Sequence, residues 1–334
     1  MNILITVIIP TRDRCHDIRR ALTSIEAQSV KAIQIIVIDD HSKDNTRLMI
    51  KNEFPQVELI ENKTSCGPAY LRNLGMAHAR GEFLHFMDSD TELPHPKIYK
   101  ALIGILRSNK NAGCIGGEIP SYLNIKDIAY GRQILINGRT NIVSTQKNQD
   151  PNALIPCDYL ATLNCFVRRD VAERIGGFDQ TYGFGAEDAD FGLRVQRLGL
   201  KNYVHFKSAA YHHKSNQGRF SSETYLFERT RIRLIWKLGT RRQIITTLVL
   251  DLLDVITFYP VLPAKLIVKT YLKRPIRRES FTGAFILMRA YLWNLKHFRK
   301  LYQWRTGSSL NHLFNQGKTL PLRQHFLSDA LTKK

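Results

Sequence analysis

The densest concentration of reactive side chains lies between Gly177 and Arg194. There Asp179, Glu187, Asp188 and Asp190 stand among Gly177, Gly183, Gly185 and Gly192. Glycine lets a backbone approach a ligand closely or adopt positive φ. Phe178, Tyr182, Phe184 and Phe191 offer flat apolar walls. Glu187 and Asp188 open a helical pattern in which Phe191, Val195 and Leu198 recur at i, i+4, i+7, with Gly199 as its C-cap. A carboxylate in a first helical turn is favoured by the helix dipole and can face a cleft. The same acidic turn is compatible with an ordinary solvated helix.

More carboxylates, Asp39, Asp40, Asp88 and Asp90, stand at places where strands end. The β-branched run Ile3–Ile9 reads as a strand that stops at Pro10, and Ile33–Ile38, Val57–Ile60 and Glu82–Met87 read as further strands. Helical patterns fall between them: Ile18, Leu22 and Ile25, then Thr46–Asn52, then Gly67–Ala79. Strands alternating with helices imply a doubly wound α/β fold with a mostly parallel sheet. Such sheets bind ligands beyond the carboxyl ends of their strands. No GxGxxG follows the first strand and no GxxxxGK[ST] occurs, which weighs against a dinucleotide dehydrogenase and a P-loop enzyme. Asp88-Ser89-Asp90 offers another way to hold phosphate. Two carboxylates two residues apart can bind Mg²⁺ or Mn²⁺, which would bridge the protein and a diphosphate. A plain turn with Asp at favoured positions is the competing reading.

The 334 residues carry a net charge of +20, unevenly distributed. Residues 1–218 hold 27 Lys+Arg against 23 Asp+Glu, and residues 219–334 hold 22 against 6. A near-neutral globular domain, 1–218, is therefore followed by a basic extension, 219–334, which points to nucleic acid or an anionic membrane surface. Five cysteines without zinc or CxxC spacing indicate a reducing compartment and mostly buried thiols. In the extension, Ile244–Phe258 is apolar, yet Thr247, Asp251 and Asp254 align at i, i+4, i+7, and Pro260 and Pro263 follow. That is not a clean transmembrane span. Phe281–Trp304 sets Phe285, Met288, Leu292, Leu295 and Phe298 against Arg289, Lys296, Arg299 and Lys300. Such a basic amphipathic helix reads as membrane-surface binding. Packing on the first domain is the alternative, and no nucleic-acid-binding motif accompanies the charge.

Val7–Thr11, Ile36–Ser42, Cys66–Gly75 and Phe86–Asp90, taken in that order, resemble the successive signatures of family 2 glycosyltransferases with the GT-A fold. Asn164–Asp170 and Gly177–Arg194 resemble the acceptor half of that family. The sequence Gly183-Phe184-Gly185-Ala186-Glu187-Asp188 is similar to chondroitin-polymerase and β1,4-galactosyltransferase sites. The resemblance covers residues 3–215. It implies a nucleotide-diphospho-sugar transferase fold with a basic helical extension at its C-terminal end.

The resemblance also implies roles for particular residues. Pro10, Thr11, Asp39, Asp40 and Gly67 would form the nucleotide site, with Asp40 accepting from a pyrimidine N–H. Arg72 would approach the diphosphate or its loop, and Asp88 the ribose and sugar side. Asp90 would bind Mn²⁺ or Mg²⁺ with Asp88, and His212, or else His213, would complete the metal site. Asp188 would be the catalytic base, with Glu187 orienting a hydroxyl. The implied activity is an inverting, metal-dependent transfer from a nucleotide-sugar, a UDP-sugar by expectation. Its acceptor would be a glycan or lipid-linked glycan in cell-surface polysaccharide biosynthesis. The protein would be cytoplasmic and peripherally attached to the inner face of the cell membrane. The rival readings are a sugar-nucleotide nucleotidyltransferase, which would want a basic glycine-rich loop where Pro10-Thr11-Arg12-Asp13 stands, and a non-catalytic nucleic-acid-binding protein.

Overall fold

The computed structural model describes residues 4–31, 33–119, 131–143, 150, 152–183, 185–213, 222–258 and 280–299. Phe184, Pro260, Pro263, Lys300 and Trp304 lie outside the described residues, as does most of 120–130 and 144–151. By internal contacts the chain divides into one unit drawn from Met1–Gln133 and Asn141–Asn216 and another drawn from Ile134–Thr140 and Gln217–Asn315.

The first unit opens with β1 (Ile5–Thr11), α1 (Cys15–Glu26), β2 (Ile33–Asp39), α2 (Thr46–Glu53), β3 (Glu58–Glu61), α3 (Pro68–His78) and β4 (Phe83–Met87). Then come β5 (Thr91–Glu92), α4 (Ile98–Ser108), β6 (Ala112–Ile119), β7 (Arg132–Ile134), β8 (Thr140–Ile142), β9 (Leu154–Cys157) and β10 (Asn164–Arg168). It closes with α5 (Arg169–Arg174), a 3₁₀ turn at Gln180–Tyr182, α6 (Glu187–Arg197) and β11 (Lys201–His212). The main sheet runs β3-β2-β1-β4-β10-β6-β11-β5, with β9 on β11. β3, β2, β1 and β4 are parallel neighbours, as are β6 and β11, whereas β10 runs antiparallel between β4 and β6. The left half is thus the expected alternating fold, and the right half is mixed.

β1, β2 and β4 are buried on both faces, which is why their sequences are nearly continuous apolar runs. Val7 and Ile9 face one core, with Ile18, Leu22 and Ile25 of α1 and Leu102 of α4. Ile8 faces the other, with Ile36 and Ile38, Leu71 of α3 and Phe191 and Val195 of α6. β1 does not stop at Pro10, contrary to expectation, but runs on to Thr11, with Pro10 opposite Ile38. Beyond Ile8 the ladder with β4 has ended, so the missing Pro10 N–H interrupts nothing on that side.

Beneath the strand ends lies a polar tie that the sequence did not reveal. His85 of β4 is fully buried between the Tyr99 hydroxyl, 3.0 Å from Nδ1, and Asn164 Oδ1, 3.0 Å from Nε2. Burial pushes the His85 pKa down to about 4, so the ring is neutral at physiological pH. Asn164 in turn donates to the carbonyls of Gly117 and Ser208, joining β4, β10, β6 and β11.

Gly116 shows how close this packing is. A Cβ there would sit 2.1 Å from the Asn164 carbonyl oxygen, whereas one at Gly104, on the exposed side of α4, would meet nothing within 4 Å. Gly116→Ala should therefore cost about 1–3 kcal/mol through overpacking. Gly104→Ala should leave stability unchanged or raise it by roughly 0.5–1 kcal/mol through helix propensity. Chemical denaturation of the two variants checks the contrast.

Candidate active site

Strand order brings the expected donor-side residues together. β1 and β2 are in register to Thr11 opposite Asp39, and β4 lies on the other side of β1. The Asp40 N–H donates to the Thr11 carbonyl at 2.8 Å. The Asp40 carboxylate accepts from the Ser65 hydroxyl at 2.7 Å and the Cys66 N–H at 2.9 Å. It therefore holds the loop that leads into α3. Gly67, at φ +81°, makes the turn into that helix, and a Cβ there would lie 3.3 Å from the Gly183 carbonyl. Asp39 is fully buried, and its Oδ2 accepts from the Ser42 N–H at 3.0 Å. Asp39 Oδ1 and Thr11 Oγ1 are buried without a partner in the protein. Two such atoms at adjacent strand ends are groups that a ligand can satisfy.

Arg72 of α3 occupies the centre. Its guanidinium is buried, with Nη2 2.8 Å from Asp88 Oδ1 and Nη1 3.3 Å from Glu187 Oε1. It lies 5.6 Å over the Phe178 ring. Burial works against the cation, but Asp88, Glu187 and Asp188 more than offset it and keep Arg72 charged. The next residue, Asn73, clamps the acceptor-side loop. Its Nδ2 donates to the Phe178 carbonyl at 2.8 Å and its Oδ1 accepts from the Phe178 N–H at 2.7 Å. Gly177 must be glycine here: φ is +69°, and a Cβ would sit 2.5 Å from Asn73 Oδ1.

That loop delivers α6, whose first turn carries Glu187 and Asp188 after Ala186 in the left-handed region at φ +62°. Glu187 Oε2 is buried and has no protein partner. Asp188 accepts from the Ala189 N–H at 2.8 Å. Burial, and then the negative charge of Glu187, push the Asp188 pKa up to about 7, against the pull of Ala189 N–H, Arg132 and Arg72. A carboxylate of that basicity is suited to taking a proton near neutral pH.

On the remaining side, the pairing of β5 with β11 sets Thr91 opposite His212. His212 Nε2 lies 3.3 Å from Asp90 Oδ1, and Arg14 Nη1 lies 3.4 Å from Asp90 Oδ2. Burial would raise the Asp90 pKa, but the hydrogen bond and charge of His212, then Arg14, hold it below the usual carboxylate range. His213 pairs instead with Glu92, Nε2 to Oε2 at 2.7 Å. Among the described residues no three His, Cys, Asp or Glu side chains converge as a metal cage. Asp90 and His212 converge as a pair, while Asp88 is engaged by Arg72. An oxygen and an imidazole nitrogen are a donor set that would suit a divalent cation such as Mn²⁺.

One expectation requires correction. Phe178, Tyr182 and Phe191 do not wall a cleft. All three are buried, Phe178 stacked on Phe191 at 4.4 Å and edge-on to Phe86 at 4.8 Å. Their apolar area is needed beneath the loop that it supports. Of the four carboxylates of the stretch, Asp179 and Asp190 serve local structure. Asp179 accepts from the Thr181 N–H at 2.8 Å, and buried Asp190 accepts from the Tyr182 hydroxyl at 3.2 Å and Arg194 Nε at 2.6 Å. Asn73 escaped the sequence reading; its position beside Arg72 in a helical pattern was the one available signal.

A sheet of this order, with carboxylates at the ends of β2 and β4 and an acidic helix opposite, is that of the GT-A glycosyltransferases. A family model described as glycosyl transferase family 2 matches residues 6–176. The chain belongs to that family. The nucleotidyltransferase and nucleic-acid readings are thereby set aside. Among curated relatives, the chain is 36% identical over 93 residues to GalNAc(5)-diNAcBac-PP-undecaprenol β-1,3-glucosyltransferase of Campylobacter jejuni, 27% of this chain and 30% of that protein. It is 31% identical over 108 residues to UDP-Glc:α-D-GlcNAc-diphosphoundecaprenol β-1,3-glucosyltransferase WfgD of Escherichia coli, 32% of this chain and 42% of the relative. The match thus spans less than half the length of each. Among solved structures, mannosyltransferase PcManGT of Pyrobaculum calidifontis, in complex with GDP-Man and Mn²⁺, superposes with a TM-score of 0.57 at 17% identity, over 87% of this chain and 86% of that one. GalNAc-T7 with UDP, GalNAc and Mn²⁺ gives a TM-score of 0.60 at 15% identity, over 81% of this chain and 53% of the other.

Removal of the Arg72 guanidinium leaves Glu187 buried without its cation. Arg72→Met should lower stability by on the order of 3 kcal/mol, as breaking a buried ion pair does. Urea denaturation measures this; an unchanged midpoint would show that Arg72 does not hold the two carboxylates.

Proposed function

We propose that the protein is an inverting, metal-dependent transferase. It moves a sugar from a UDP-sugar to a lipid-linked glycan, in cell-surface polysaccharide biosynthesis at the inner face of the cell membrane. The observation that carries this reading is the junction of Arg72 with Asp88 and Glu187 beside the basic carboxylate Asp188. The UDP-Glc and diphosphoundecaprenol of the named relatives support the donor and acceptor classes. The nucleotides and Mn²⁺ of the structural neighbours support a cation with a nucleotide-sugar.

The nucleotide binds over the ends of β1 and β2. Asp39 Oδ1 and Thr11 Oγ1 are the polar atoms that await it, and Asp40 keeps the Ser65–Gly67 loop closed against it. Asp90 and His212 would hold the divalent cation, which when bound neutralises charge on the departing diphosphate. Asp88, oriented by Arg72, lies on the sugar side. Asp188 receives the proton of the acceptor hydroxyl as its oxygen attacks the anomeric carbon on the face opposite the diphosphate, which inverts the configuration. Glu187, tethered through Oε1 to Arg72, presents Oε2 to a sugar hydroxyl.

The donor assignment is tested by release of nucleoside diphosphate from a panel of UDP- and GDP-sugars with an undecaprenyl-diphosphate-linked acceptor. Turnover with GDP-sugars alone would overturn it. Excess chelator should abolish transfer, and Mn²⁺ or Mg²⁺ should restore it in the parent protein but not in Asp90→Ala.

The base must be ionised to act. With the Asp188 pKa near 7, the rate should fall as pH drops through neutrality and level off above it. Asp188→Asn should lower the rate about 10²–10⁴-fold and leave UDP affinity intact. Near-normal transfer by that variant would eliminate Asp188 as the base.

A further inference from the structure

The second unit is built with its polar groups inside. It comprises the Ile134–Thr140 loop and the helices α7 (Ser222–Leu238), α8 (Arg241–Phe258) and α9 (Ser280–Lys296). Asp251 of α8 is buried and accepts from Arg231 Nη2 at 2.8 Å and the Tyr291 hydroxyl at 2.6 Å. Arg231 also donates to the Asn137 carbonyl at 2.7 Å and to Glu228 at 2.7 Å. Buried Thr247 reaches the Ile136 carbonyl at 3.4 Å, and buried Asn294 of α9 donates to the Arg229 carbonyl at 2.9 Å. A helix dissolved in water arranges its faces the other way round.

The outward faces are correspondingly apolar. On α8, Ile245, Leu248, Val249 and Leu252 recur at i, i+3, i+4, i+7, and all are exposed. On α9, Phe285, Met288, Leu292 and Leu295 recur at i, i+3, i+7, i+10, and each leaves more than half its surface in water. Two exposed apolar stripes of this size mark an interaction surface. The basic excess, in contrast, is partly hidden: Arg231, Arg233 and Lys237 of α7 are all buried. Arg229 is packed 4.5 Å over the Trp293 ring. Among the described residues, Arg241, Arg242, Arg289, Lys296 and Arg299 are exposed cations, at the start of α8 and along and just beyond α9. There they complement the phosphates of lipid headgroups. No helix among the described residues is long and apolar enough to cross a membrane.

We propose that the outward faces of α8 and α9 seat in the interfacial layer of a lipid bilayer, held chiefly by their apolar side chains and only secondarily by charge. This deepens the transferase reading and rests on it for the choice of occupant, because the proposed acceptor is dissolved in a bilayer. The Asp251 cluster is what permits it: α8 carries no charge on its apolar stripe because the Arg231 and Tyr291 donors draw that carboxylate inside.

The test is cosedimentation of the full chain with phosphatidylcholine vesicles, alone or mixed with phosphatidylglycerol. The protein should bind both, and raising salt to about 0.5 M should weaken binding by less than about threefold, since apolar insertion is not screened. Leu252→Glu combined with Leu292→Glu should reduce binding to both vesicles by about tenfold or more. The thermal midpoint and transfer to a water-soluble acceptor should not change, because both positions are exposed. Leu252→Ser with Leu292→Ser serves the same purpose if the charged pair unfolds the helices. Arg289→Gln with Lys296→Gln should weaken binding to phosphatidylcholine by less than about threefold. Binding to anionic vesicles alone with release by salt would overturn the proposal, as would undiminished binding by the leucine variants. So would a vesicle-indifferent dimer that those variants split. A chain that binds vesicles as described but transfers no sugar to a lipid-linked acceptor would sink the acceptor reading and leave this one standing.

Discussion

One buried guanidinium organises the site. Arg72 is reached from the end of β4 through Asp88 and from α6 through Glu187, two elements far apart in sequence. A cation this deeply desolvated is tolerable only because carboxylates surround it. The same condition crowds Glu187 and Asp188 together at the start of α6, where the helix dipole alone would not hold two acids side by side. The basicity of Asp188 follows, since a second negative charge next to Glu187 in a buried place is costly. Asn73 then fixes the backbone that leads to both. Helix α3 is therefore the frame of the site as well as a cover for the sheet.

Much of this was legible in the sequence, and for identifiable reasons. Parallel strands buried on both faces leave apolar runs that end abruptly, so β1, β2 and β4 were recognisable and with them the places of Thr11, Asp39, Asp40, Asp88 and Asp90. The helical spacing of Phe191, Val195 and Leu198 revealed α6 and its acidic first turn. What escaped was everything set by distant pairing. β10 runs antiparallel between two strands that the local pattern could not order. The His85–Tyr99–Asn164 tie joins residues from three separate stretches. The carboxylates of the Gly177–Arg194 stretch look alike in sequence, yet Asp179 and Asp190 go to local structure because Thr181, Tyr182 and Arg194 lie within reach of them. Aromatic residues near a candidate site were misread as walls, since composition does not say which side of a loop needs apolar support.

The basic half of the charge distribution carries a related lesson. Counting Lys and Arg suggested a surface that attracts anions. Several of those cations instead neutralise or cover groups inside their own helical unit, with Arg231 on Asp251 and Arg229 on Trp293. A net charge fixes neither where the charge is displayed nor which face of a helix meets solvent.

The five thiols are distributed so that the donor loop can be watched. Cys114, Cys157 and Cys165 are buried, Cys15 is half-buried, and Cys66 is exposed. A hydrogen bond donated by the Cys114 thiol to Cys165, and burial, raise the Cys114 pKa, and burial pushes Cys157 up to about 12, which leaves Cys114 and Cys157 unreactive near neutral pH. Cys66 stands on the loop whose N–H is held by Asp40. A maleimide dye would therefore attach first beside the proposed nucleotide site. Its emission would give an optical record of donor arrival in the unaltered chain, with no engineered handle and no need for turnover.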